Sequence, residues 1–125
     1  GTTNEQRKAI MPITKKNALV DLLDASKKYT EQSNTWLTFE YVLLKECNDS
    51  IEDAARLIKL LYDIKKCKLN VIPYNETDGE FQRPEQSKIR SFMSKLRSAP
   101  FPVTIRWSKG TDIDAGCGQL AVSDS

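Results

Sequence analysis

The chain of 125 residues contains no histidine. That absence removes a histidine general base, Ser-His and Cys-His activation of a nucleophile, and the commonest zinc ligand. Cysteine is scarce as well: Cys47, Cys67 and Cys117 stand 20 and 50 positions apart, so no Cys-x-x-Cys redox or metal motif exists. An odd cysteine count without a signal peptide points to the reducing cytoplasm. No apolar run approaches the roughly 20 residues of a membrane span, so no membrane partner is expected. Neither sign of charge dominates. Lys+Arg number 19 against 17 Asp+Glu, and a net +2 is too small by itself to argue for nucleic acid.

What remains is an ordinary globular mixture, 39% hydrophobic and 29% charged, enough for one domain with a modest core. The island Ile10-Met11-Pro12-Ile13 reads as an irregular loop, because Pro12 discourages a regular helix. Asn17 is placed to cap a first helix whose face is Leu19, Val20, Leu22, Leu23 and Tyr29, with Lys27 and Lys28 in its last turn. Residues 36–44 are rich in β-branched and aromatic types and read as a strand buried on both faces. Glu40 interrupts that run, and a carboxylate there is either a functional group or half of a buried ion pair.

Asp49 with Glu52 fits a capping box. Ile51, Ala54, Ala55, Ile58, Leu61 and Ile64 then recur at helical spacing. A second strand, 67–72, is closed by Pro73. Cys47 and Cys67 read as small core or loop-packing residues. Pro84 suits the first position of a third helix, whose apolar face is Ile89, Phe92, Met93 and Leu96. Pro100 and Pro102 lead into a third strand, 103–107.

Helices thus alternate with strands, which predicts an α/β fold with about three parallel strands, three helices and right-handed crossovers. In such arrays ligands sit at the carboxyl ends of the strands. The loop Gly110-Thr111-Asp112-Ile113-Asp114-Ala115-Gly116-Cys117-Gly118 leaves one of those ends. Glycine on both sides of Cys117 permits positive φ and close approach of another molecule to the sulfur. Three parallel strands leave a hydrophobic edge along the first of them. The economical reading is half of a larger barrel, a piece of a longer protein, that self-associates through that exposed edge or is marginally stable by itself. The chain's start at Gly-Thr-Thr-Asn rather than Met agrees.

Several segments together resemble one family. They are Arg7 with Met11-Pro12-Ile13-Thr14-Lys15-Lys16, then Thr38-Phe39-Glu40-Tyr41-Val42-Leu43-Leu44, and Asn48-Asp49-Ser50. Asn70-Val71-Ile72-Pro73-Tyr74-Asn75 and Asp112-Ile113-Asp114-Ala115-Gly116-Cys117-Gly118-Gln119-Leu120 complete the set. The chain resembles, up to Leu120, the C-terminal half of the radical S-adenosylmethionine ribosomal-RNA methyltransferases, which methylate carbon 2 of an adenine in 23S rRNA and in some members tRNA. A sister subfamily methylates carbon 8 and confers antibiotic resistance. The resemblance implies half of a partial (β/α)6 barrel spanning residues 1–125. It implies that Cys117 is the methyl-carrying cysteine and that Asn75 contacts S-adenosylmethionine. It also implies a [4Fe-4S] cluster, a general base and a resolving cysteine whose residues do not occur in this chain, so the chain alone is expected to be inactive. Gly116 stands where many relatives have Ala. A different class of reading is a non-catalytic RNA-binding module using Arg106, Lys109 and the Lys clusters on phosphates.

Overall fold

The computed structural model describes residues 8–12, 16–74, 82–107 and 119–124, and every structural statement below concerns these. Their elements run β1 (Lys8–Pro12), α1 (Lys16–Gln32), β2 (Leu37–Leu43), α2 (Ile51–Leu61), β3 (Cys67–Pro73), α3 (Gln86–Leu96), β4 (Val103–Ile105) and β5 (Gln119–Asp124). The five strands form one sheet in the order β1-β5-β2-β3-β4. β2, β3 and β4 are parallel neighbours joined through α2 and α3, as the alternation of patterns predicts.

The helices cover one face of the sheet. Along β2, Leu37, Phe39, Tyr41 and Leu43 are buried while the residues between them are half-covered. That period-two pattern replaces the two-sided burial expected from composition. Cys67, Leu69 and Val71 of β3 continue the buried face, and Leu57 and Leu61 of α2 pack on it with Ile89, Phe92 and Leu96 of α3. The Tyr41 and Phe92 rings stack at 5.7 Å with 13° between their planes. Burying a side chain of that size contributes about 2–3 kcal/mol.

Three sequence readings change in the structure. The hydrophobic edge expected along β2 is covered by the chain itself: β5 pairs with it antiparallel, Tyr41 opposite Leu120 and Phe39 opposite Val122. Leu120 and Val122 alternate into the core, so a six-residue strand suffices. The expected route to self-association through that edge is therefore closed. β1 pairs on the far side of β5, so the Ile10-Met11-Pro12 island is an edge strand rather than a loop. Proline is tolerated because it ends a strand at the sheet's margin.

The helical stripes also shift. In α1, Val20 and Tyr29 are exposed, whereas Ser26 and Thr30 are buried. Their hydroxyls donate to Leu22 O and Lys27 O, which removes the cost of burying them. The helix includes Asn17 and runs on to Gln32, so Lys27 and Lys28 fall before its last turn. In α2 the buried residues are Ala54, Leu57 and Leu61, and Ile51 lies exposed. The stripe read for α3 is observed.

Candidate functional site

The carboxyl ends of the parallel strands form a rim held by short local devices. β2 runs into a turn closed by Asn48, whose side chain is almost fully buried. Its Oδ1 accepts from the Leu44 amide at 2.8 Å and its Nδ2 donates to Val42 O at 2.8 Å. Tyr41 Oη donates to the Asn48 carbonyl at 3.0 Å. Burial raises the Tyr41 hydroxyl far above its ordinary pKa, with the charge of Asp53 adding to the shift, so it remains a donor. Glu46 takes φ 58°, a left-handed conformation that a non-glycine residue adopts at a cost of about 1–2 kcal/mol. The amides of Cys47 and Asn48 hold the turn by donating to Leu44 O.

α2 starts immediately afterwards. Ser50 is its N-cap: the hydroxyl accepts from the Asp53 amide, and the Asp53 carboxylate accepts from the Ser50 amide. The capping box thus lies one residue beyond the Asp49/Glu52 reading, because Ser50 rather than Asp49 carries the extended backbone at the helix start.

The loops leaving neighbouring strands are laced together. The Tyr74 amide donates to Leu43 O at 3.0 Å, the Lys45 amide to Gln82 O at 2.8 Å, and the Arg106 amide to Val71 O at 2.9 Å. The Arg83 guanidinium lies over the Trp107 ring, 4.6 Å from its centroid, which joins the approach to α3 with the exit from β4. At an exposed site such a contact contributes about 0.5–1 kcal/mol.

The sheet face opposite the helices carries a polar row. Register aligns Ala121, Glu40, Asn70 and Thr104 across β5, β2, β3 and β4. Thr104 Oγ1 donates to Asn70 Oδ1. Arg106 reaches over β3 to Glu40, with Nη1 to Oε2 at 2.9 Å. The two readings left open for Glu40 meet here: it is half of an ion pair, with its side chain 17% exposed against 47% for Arg106. Arg106 is thereby committed to a carboxylate rather than held out for phosphate. The polar row and the Arg83–Trp107 contact were not read from sequence. A polar residue at the equivalent position of each parallel strand was the signal for the first, whereas the second joins residues 24 positions apart and had none.

Cys117 and Asn75, the residues singled out for methyl transfer and cofactor contact, lie outside the described residues. Their flanks are described. Tyr74, next to Asn75, is buried at the end of β3. On either side of the cysteine segment, Trp107 follows β4, and Gln119 opens β5 beside the carboxyl end of β2. Cys67 is fully buried and free, and burial pushes its thiol up to about 11, as its packing role predicts. Cys47 is half-buried in the turn after β2. Among the described residues, no group of three or more Cys, Asp or Glu could hold a metal ion. Among them also, no helix is long and apolar enough to cross a membrane.

Comparison with known proteins gives this arrangement a family. The chain is 46% identical over 120 residues to the dual-specificity RNA methyltransferase RlmN of Geobacter sulfurreducens, covering 95% of the chain and 33% of that protein. It is 45% identical over 120 residues to the protein of the same name from Geotalea uraniireducens, covering 95% of the chain and 35% of that protein. Over the length it shares, the chain belongs to this family. A crystal structure of a radical SAM methyltransferase from Sphaerobacter thermophilus superimposes with a TM-score of 0.66 at 38% identity, over 81% of the chain and 30% of that protein. No family model matches the chain. The chain spans about a third of the length of the curated relatives it matches.

Proposed function

We propose that this chain is the C-terminal part of the catalytic domain of a cytoplasmic radical S-adenosylmethionine RNA methyltransferase. In this reading the whole protein methylates carbon 2 of an adenine in 23S rRNA, and in tRNA as a second substrate. Cys117 is the residue that carries the methyl group, and Asn75 contacts S-adenosylmethionine through an amide able to donate and accept at once.

The observation that carries the reading is the placement of the described flanks. Trp107 follows the carboxyl end of β4, and Gln119 opens antiparallel β5 beside the carboxyl end of β2, the side on which βα arrays bind ligands. The glycine-flanked thiol lies between them in sequence. The matched relatives, named as RNA methyltransferases, support the reaction class.

The residues described do not fit an iron–sulfur cluster. The chain has no Cys-x-x-x-Cys-x-x-Cys motif, and the described residues hold no cluster of ligands. No step of the reaction is therefore assigned to such a group on this chain. What the chain supplies in this reading is the Cys117 sulfur and the scaffold of the described strands. The latched 44–50 turn and the laced rim hold the strand ends in register, and the Glu40–Arg106 pair neutralises the sheet face next to them.

Mass spectrometry of the whole protein tests the assignment. The peptide containing Cys117 is expected to carry one extra methyl group, and Cys117→Ala is expected to abolish methylated RNA. An unmodified Cys117 together with full activity of the Ala variant would overturn it. Carbon-2 and carbon-8 products differ by position on the base, and nucleoside analysis of the modified adenine separates them.

A further inference from the structure

The net positive charge of this chain arises from one segment, α3 with the residues that flank it. Between Arg83 and Arg97 stand five basic residues and one acidic residue, Glu85. Taking these from the chain's 19 basic and 17 acidic residues leaves 14 and 16, so everything outside this segment is net negative. The other two helices mix their charges. α1 carries Asp21, Asp24 and Glu31 beside Lys16, Lys27 and Lys28, and α2 carries Glu52 and Asp53 beside Arg56 and Lys59.

Helical geometry sorts α3 and its C-cap into two faces. Ile89, Phe92 and Leu96 turn into the core. Facing solvent, Arg90 and Arg97 form one flank and Lys88 and Lys95 the other, and all four are exposed. Each pair is seven residues apart, about 10 Å along the axis. Ser87, Ser91 and Ser94 run between the two flanks. Among the described residues none of the four cations enters an ion pair; the pairs formed are Arg56–Asp53 and Arg106–Glu40. Arg90, Ser91, Ser94 and Lys95 also line an open trough of about 580 Å³ with Ile51 of α2 at its end.

We infer that the outer face of α3 is a docking surface for the phosphate backbone of a folded RNA, separate from the catalytic rim. The inference rests on the RNA-methyltransferase reading above and names where on this chain the RNA is held. Two cationic rows with hydroxyl donors between them match the groups that contact phosphate oxygens. The occupant is RNA rather than protein, because a protein interface needs an apolar or aromatic centre. Here Ile51 at the margin is the single apolar side chain lining the trough, and the solvent-facing residues of α3 are cations and uncharged polar side chains. It is not a lipid surface, because the apolar face of the helix is spent in the core.

The test uses the whole protein and a fluorescently labelled synthetic RNA stem–loop with an adenine in its loop. Affinity is measured as KCl is raised, for the wild type and for Lys88→Gln/Lys95→Gln/Arg90→Gln/Arg97→Gln. Each lost phosphate contact reduces the slope of log affinity against log salt by about 0.7–0.9, so the quadruple variant is expected to lose about 3 units of slope. Its KM for methylation of the stem–loop rises at least about tenfold while kcat at saturating RNA stays within about twofold. The side chains are exposed and enter no ion pair among the described residues, so the melting temperature is expected to hold. The Lys88→Gln/Lys95→Gln pair alone shows about half the slope change and keeps the test available if the quadruple variant fails to fold. Lys27→Gln/Lys59→Gln, on α1 and α2, is expected to leave the slope unchanged. A wild-type slope in the α3 variants, or an equal loss in the Lys27/Lys59 control, overturns the docking surface and leaves the methyltransferase reading standing. A wild type with no affinity for the RNA overturns both.

Discussion

Replacing Asn48 by Ala is expected to be among the most damaging polar-to-Ala changes in the described chain. The substitution removes two hydrogen bonds of 2.8 Å each, one from the Leu44 amide and one to Val42 O. The first is buried, so its orphaned N–H bears the upper part of the roughly 1–3 kcal/mol cost of an unsatisfied group. The second is partly buried, and the Val42 carbonyl recovers some solvation at the lower end of that range. Together they give about 3 kcal/mol. For a domain of this size that is a fall of about 10–15 °C in melting temperature, read by circular dichroism.

Asn48→Asp separates the two bonds. A carboxylate still accepts from Leu44, but opposite the Val42 carbonyl it prefers to be protonated, so its folded pKa lies above its unfolded value. A raised folded pKa gives stability that is present below the unfolded pKa and lost as pH rises through the folded one. The Asp variant should therefore approach wild type in acid and fall towards the Ala variant at neutral pH. A fall of less than about 4 °C for Asn48→Ala, or a flat pH profile for Asn48→Asp, would refute the view that this side chain holds the turn.

Two further outcomes follow from the core. Phe92→Ala removes a fully buried ring stacked on Tyr41 and is expected to cost about 3–5 kcal/mol in urea denaturation; a loss under about 1 kcal/mol would show that α3 does not depend on that contact. Cys67, its thiol raised to about 11, should resist iodoacetamide at neutral pH until the chain unfolds. Because its folded pKa exceeds the ordinary value near 9, the neutral thiol's contribution to stability is complete below about pH 9 and lost on rising through about 11. Cys67→Val should remove that alkaline slope, and rapid labelling of native Cys67 would contradict its burial.

Sequence alone determined the alternation of helices and parallel strands, because stretches with apolar residues at helical spacing alternate with short runs rich in β-branched and aromatic residues, separated at Pro and Asn/Ser boundaries. It determined the core stripe of α3, where each apolar residue falls on one face with no polar competitor. The family was also legible, since Asn70-Val71-Ile72-Pro73-Tyr74-Asn75 and the glycine-flanked cysteine are local strings. Those same strings carry the proposed roles of Cys117 and Asn75. Tertiary structure decided everything that depends on partners distant in the chain. β5 covers β2 from some 80 positions away, and its six residues next to a polar tail give little local signal. The choice between a functional Glu40 and a paired one required Arg106, placed within reach only by the register of β2, β3 and β4. The position of the capping box turned on which residue's backbone was extended, a property that the turn after β2 imposes and composition does not. Local pattern is written in neighbouring residues, whereas pairing is a property of the closed sheet.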